Sequence, residues 1–129
     1  MEGEKDPLAP AIDLIHPEKN DFLRYALDLL NAGYFWESHV YFEALWNTHG
    51  RQGSVADFLK ALIKLGAAGV KVSIEQPQLA LDHYLRAREL FSHVAAAEGE
   101  TFLGFNLKEI IFKLDQGVTD KLEIYPRWG

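Results

Sequence analysis

The chain contains no cysteine. That excludes disulfides, thiolate metal sites and a cysteine nucleophile. No uninterrupted apolar run approaches the ~20 residues of a membrane-spanning helix. The opening residues, MEGEKDPLAPAIDL, have no apolar signal core, so a cytoplasmic protein without a membrane partner is expected. Positive charge is in short supply: 13 Lys and Arg stand against 19 Asp and Glu, a formal net charge of -6. Nucleic-acid binding needs a basic face to displace counterions, so no nucleic-acid partner is expected. Several catalytic signatures are also missing. There is no His-Glu-x-x-His zinc helix, no Glu-x-x-His pair of the diiron bundles, no Gly-x-Ser-x-Gly elbow and no P-loop.

What is present is apolar and aromatic. Hydrophobic residues make up 48% and aromatic residues 12% of 129 residues, enough for one domain with a sizeable core. Pro7, Pro10 and Pro17 break up residues 1–16, which are expected to form a mobile N-terminal arm on which Ile12, Leu14 and Ile15 could dock. Residues 17–129 are expected to form a single helical domain. Phe22, Tyr25, Ala26, Leu29 and Leu30 recur at steps of three and four, which predicts a first helix after Pro17, closed near Asn31 and Gly33. A second helix follows from Tyr34 to about Asn47.

The glycine-bearing loop HGRQGS leads to a third helix, with Ser54 and Asp57 spaced as a capping pair and an end near Val72. Its apolar set is Phe58, Leu59, Leu62, Ile63, Leu65 and Val70. Gly66 and Gly69 are unfavourable in a helix interior and point to close approach of a neighbouring segment. Pro77 opens a fourth helix to about Ala96, with Leu79, Ala80, Tyr84, Ala87, Leu90, Phe91 and Val94 inward. Asn106 and Glu109 cap a short fifth helix ending near Gln116, and the tail VTDKLEIYPRWG reads as extended. The fold class is therefore all-α: an up-down antiparallel bundle of about five helices, two hairpins plus a short C-terminal helix. The hairpins echo helix-hairpin repeats, but only two units fit and no repeat signature is met.

The stretch NAGYFWESHVYFEALW, residues 31–46, poses the functional question. At ~100° per residue Phe35, His39, Phe42 and Trp46 share one side of the second helix, with Glu43 one turn after His39 and Glu37 pointing elsewhere. One reading makes His39 a core histidine satisfied by Glu43, since a buried polar group needs a partner. The other makes His39 and Glu43 an acid/base couple or metal ligands, with titrations altered by apolar surroundings. His83, on the fourth helix, is a further candidate ligand. Lys60, Lys64 and Lys71 form, with Asp57, a stripe on the third helix. It reads as a solvated face, or as a source of a cation for Glu43. Arg51 in the HGRQGS loop could hold an anion at a helix start, although a plain connector is the simpler reading. His16 and His93 read as exposed, and Leu81 and Leu85 as an outer apolar surface.

These motifs, together with FLKALIKLGAAGVK and ALDHYLRARELF, resemble the uncharacterised prokaryotic family catalogued as domain of unknown function three hundred and nine. The matching positions are Asn31, Gly33, Tyr34, Glu37, His39, Glu43 and Trp46, then Leu59, Leu62 and Ile63. The likeness covers about residues 20–92 and, loosely, Leu103 to Leu114. It implies an all-helical bundle and no established activity. The chain departs from the pattern at Val40, where the family usually has glutamate, and at Lys60 and Lys64, where glutamines are common. One acid lost and two cations gained disfavour a metal site. They fit better a polar cluster of Glu37, His39, Glu43, Trp46, Lys60 and Lys64.

Two functions are open at this point. The first is a small helical binding or scaffold protein with a buried His39–Glu43 pair, meeting a protein partner or a second copy through Leu81 and Leu85. The second is a metal-assisted small-molecule hydrolase using His39 and Glu43, with His83 as third ligand, in a pocket between helices two, three and four. No cofactor is implied.

Overall fold

The structure is a computed structural model that describes residues 9–117 and 122–128. It contains five helices: α1 (Asp21–Ala32), α2 (Phe35–Thr48), α3 (Ser54–Ser73), α4 (Pro77–Glu98) and α5 (Leu107–Asp115). Each packs chiefly on its neighbour in sequence, in the order α1 on α2, α2 on α3, α3 on α4 and α4 on α5. The short loops turn the chain back on itself each time, which is the expected helical bundle. Helix α3 lies at its centre, with most residues from Ala56 through Gly69 buried and a half-buried stripe of Asp57, Lys60, Lys64 and Lys71 along one face. A helix with so wide an apolar face needs neighbours on more than one side.

Helix ends are set by local chemistry. Gly33 (φ 91°) closes α1 in the left-handed region, with Gly33 N donating to Leu30 O and Tyr34 N to Leu29 O. Gly50 (φ 72°) closes α2 in the same way, Arg51 N reaching Trp46 O. The HGRQGS loop thus serves first as a helix stop. Asn106 caps α5 as expected, its side chain accepting from Glu109 N at 3.0 Å.

The start of the first helix after Pro17 is located, and three expectations are corrected: the Ser54 cap and the inward Tyr25 and Leu79. Pro17–Lys19 is a separate 3-10 turn, and α1 begins only at Asp21, because Asn20 takes the cap position and accepts from Leu23 N at 2.9 Å. Ser54 does not cap α3. It is the first helical residue, and its hydroxyl donates to Glu98 Oε2 at 2.8 Å instead, while Gly53 precedes it at φ 97°. On α1, Leu23 and Leu27 are buried and Tyr25 is half-exposed; on α4, Leu79 is exposed.

Between α4 and α5 a hairpin forms that the pattern did not predict: β1 (Thr101–Phe102) pairs antiparallel with β2 (Phe105–Asn106), Phe102 opposite Phe105. Both turn residues, Leu103 (φ 52°) and Gly104 (φ 84°), lie at positive φ, as tight two-residue hairpins demand. The left-handed backbone costs a leucine ~1–2 kcal/mol. Burying the Leu103 side chain offsets this by ~1.5–3 kcal/mol. The hairpin delivers Phe102 and Phe105 to Phe58, whose ring also meets Phe91 edge-on.

Polar seams tie the termini to this body. Ala9 and Ile12 are buried, whereas Leu14 and Ile15 are exposed. Residues 1–8 of the expected arm lie outside the described residues. At the other end, residues 122–128 run without helix or strand, and 118–121 and 129 lie outside the described residues. Ile124 is buried and its backbone is held from both sides by the Asn31 side chain: Ile124 N donates to Oδ1 at 2.8 Å and Nδ2 donates to Ile124 O at 2.7 Å. Trp128 Nε1 donates to Leu103 O at 2.9 Å, its ring closing over Gly104, where a Cβ would sit 2.5 Å from the indole. Among the described residues no helix is long and apolar enough to cross a membrane.

Candidate functional site

The inner face of α2 is made by Ser38, Phe42, Ala44 and Leu45. Ser38 hides its polarity by donating to Phe35 O at 2.9 Å. His39 follows Ser38 by one residue, ~100° round the helix. It therefore sits at the edge of the buried stripe, not in it. The expected buried His39–Glu43 pair is corrected accordingly: His39 Nε2 lies 3.5 Å from Glu43 Oε2, but the side chains are 38% and 43% exposed. The physical reason is that Phe42 and Leu45 are larger apolar groups and claim the interior, rotating the helix away from the face centred on His39. An exposed pair at i and i+4 contributes only ~0.3–0.5 kcal/mol.

The edge position gives His39 another surrounding. With Phe35 and Trp36 it forms one wall of a cleft of about 230 Å³ between α2, α3 and α4. The floor is α3, at Gly66, Ala67 and Val70, and the rim carries Lys71 and, from α4, His83. The glycines explain the depth. A Cβ on Gly69 would lie 2.5 Å from Cε1 and Cζ of Phe35, so glycine there lets the ring rest on the α3 backbone. A Cβ on Gly66 would meet the Phe35 carbonyl at 3.7 Å and Leu30 Cδ1 at 3.6 Å. The close approach read from these glycines is present, and Phe35 is what approaches.

The electrostatics of the cleft are positive on one side. Burial pushes the His83 pKa below its usual value, and the charges of Lys64 and Lys71 push it further, against a smaller opposite effect of Asp82. Lys64 is lowered by burial, then by Lys60 and Arg86. His83 is therefore neutral at pH 7, and one ring nitrogen can donate while the other accepts.

The remaining candidates are distributed around this centre. Lys60 does not pair with Glu43; its Nζ lies over the Trp46 ring, 4.5 Å from the centroid, with Arg51 also 5.3 Å from that centroid. Lys64 sends its charge toward His83, and the ion partner of Glu43 is His39. Glu37 is exposed. His39 and His83 thus line one cleft, while Trp46 and Lys60 form a separate stack. Among the described residues no group of three His, Asp or Glu side chains is placed to hold a metal ion.

Sequence reasoning missed Trp36, Ala67, Val70 and Lys71 as lining residues. The available signal was the pairing of two small residues on α3 with two consecutive aromatic residues, Phe35 and Trp36, at the start of α2. It also passed over His49 as a partner for the arm. This ring is a hydrogen-bond acceptor: Ile12 N donates to His49 Nε2 at 3.0 Å, and burial lowers its pKa, which keeps that nitrogen unprotonated.

Residues 23–82 match DUF309, a domain of unknown function. The match takes in every lining residue of the cleft except His83, which follows it directly. No curated protein and no solved structure matches the chain.

Proposed function

We propose that this DUF309 protein is a small cytoplasmic helical binding protein whose ligand site is the cleft between α2, α3 and α4. The observation that carries this reading is the cleft itself: apolar walls from Phe35, Trp36 and Val70, with a few polar groups, His39, Lys71 and His83, converging from three helices. Ligand sites are commonly built this way, an apolar concavity with sparse orienting groups. NMR titration with small aromatic probes of different charge tests it, read at the Trp36 indole N–H and assigned with Trp36→Phe. Binding shifts the Trp36 signal more than those of Trp46 or Trp128. Filling the cleft with Ala67→Leu abolishes the shift in a protein that still folds. A Trp36 signal unmoved by every probe contradicts the proposal.

A second reading is the metal-assisted hydrolase using His39, Glu43 and His83. It is favoured by His39 and His83 lining the same cleft. It is disfavoured by the positive field of Lys64 and Lys71 at His83, which competes with a cation. Metal content measured by mass spectrometry on tag-free protein decides it. Near-stoichiometric metal that is lost in His39→Ala supports the hydrolase.

The outer face of α4 is the surface for a protein partner or a second copy. Leu81 and Leu85, one turn apart, are 46% and 56% exposed. Light scattering of the wild type and of Leu81→Lys/Leu85→Lys tests it; a wild-type monomer counts against self-association.

A further inference from the structure

Resting on the cleft as a ligand site, we infer that it selects a small organic anion: a carboxylate on an apolar body, the body against Phe35, Trp36 and Val70 and the carboxylate toward Lys71 and His83.

Size sets the first limit. A cleft of about 230 Å³ holds the equivalent of about eight waters. It falls below the ~300–1,000 Å³ of sites for drug-sized ligands. The occupant is therefore a compact metabolite rather than a nucleotide or an extended cofactor.

Charge sets the second. The polar side chains lining the cleft are two histidines and a lysine, and none of the lining residues is an acid. Among the described residues neither Lys71 nor Lys64 has an ion-pair partner. Arg86 is paired with Glu89, and Glu43 with His39. The positive charges of Lys64 and Lys71 thus reach His83, adding to the effect of burial and outweighing the opposite effect of Asp82. Beside an apolar wall this field is screened less than at an open surface. An anion entering the cleft relieves it, gaining a charge-assisted hydrogen bond from Lys71 and a donor from His83. A neutral ligand of the same shape gains only the apolar burial, and a cation is repelled.

The test uses three probes with the same phenyl body and different charge on the whole protein: benzoate, benzamide and benzylammonium, titrated at pH 7 and followed at the Trp36 indole. Benzoate is expected to bind about tenfold or more tightly than benzamide, the worth of one hydrogen bond to a charged group, with benzylammonium weakest. Lys71→Met is expected to remove most of that preference; Lys71→Arg restores benzoate preference. Circular dichroism confirms that the variants are folded. Benzamide or benzylammonium binding as tightly as benzoate overturns the anion inference while the cleft proposal survives. So does a benzoate-to-benzamide ratio unchanged in Lys71→Met. If none of the three binds, both fall.

Discussion

Two sets of polar side chains divide this small bundle. Along the seams that hold the chain ends, Asn20, Asn31, Thr48 and His49 each spend their hydrogen-bonding capacity on backbone. Asn20 Nδ2 donates to Pro10 O at 2.9 Å, Thr48 Oγ1 donates to Ala9 O at 2.8 Å, and Asn31 binds both groups of Ile124. Around the cleft, His39 has only a long contact with a half-exposed glutamate, and Lys71 has no ion partner among the described residues. The contrast is sharpest within α2 and its cap. His49 is fixed by the arm, whereas His39, ten residues earlier, faces an open cleft. Fixed backbone partners make a polar residue structural. Groups left facing a concavity can meet a ligand.

Substitutions can break this comparison. The largest effect is expected from Asn31→Ala. It strands the buried N–H and C=O of Ile124 and should cost about 2–4 kcal/mol in urea unfolding. His49→Ala removes the acceptor of Ile12 N and is expected to cost about 1–2 kcal/mol, with enhanced proteolysis near residues 9–16.

The same histidine makes stability depend on pH. Its folded pKa lies below 6.5, so its contribution is complete above pH 6.5 and is lost as pH falls through the folded value. Protonation also turns the acceptor into a donor. His83, lowered as well, acts in the same direction. Urea midpoints are therefore expected to fall between pH 7.5 and 5.5, and His49→Gln, which keeps an acceptor that cannot protonate, should flatten part of that fall.

Smaller effects probe the cleft side. Gly69→Ala gains ~1 kcal/mol of helix propensity. Against this, the new methyl must displace the Phe35 ring, an overpacking cost of ~1–3 kcal/mol. The net loss is expected to be about 0–2 kcal/mol, with probe binding weakened because Phe35 is a cleft wall. The smallest effect belongs to His39→Ala: within about 0.5 kcal/mol of wild type, because an exposed pair contributes so little. A loss comparable to that of Asn31→Ala would place His39 among the structural residues and undo the comparison.

Much of the fold was legible. All five helices follow from apolar periodicity, from Gly33 as a stop and from the Asn106 cap. The phase of α1 and α2 was less so. Aromatic residues mark both the interior and its border, so Tyr25 and His39 were drawn inward when the buried stripe runs through Leu23 and Leu27 in α1 and through Ser38, Phe42 and Leu45 in α2. The hairpin at Leu103 was hidden because a leucine at positive φ contradicts local preference and is tolerated only by burial. Of the site, His39 and His83 were singled out, and Gly66 and Gly69 announced a close approach. Lys71 and Trp36 were not assigned to it, since their meeting depends on how α2 and α3 are rotated against each other. The Asn31–Ile124 bond spans most of the chain, and no local pattern announces it.

The central claim is that the cleft, and not another surface, receives a small ligand. Intermolecular NOEs in benzoate-saturated protein test this most directly. Contacts are expected from the benzoate ring to Phe35, Trp36 and Val70. Contacts confined to the groove of about 340 Å³ that includes Arg24, Tyr125 and Trp128, or none at all, would contradict it.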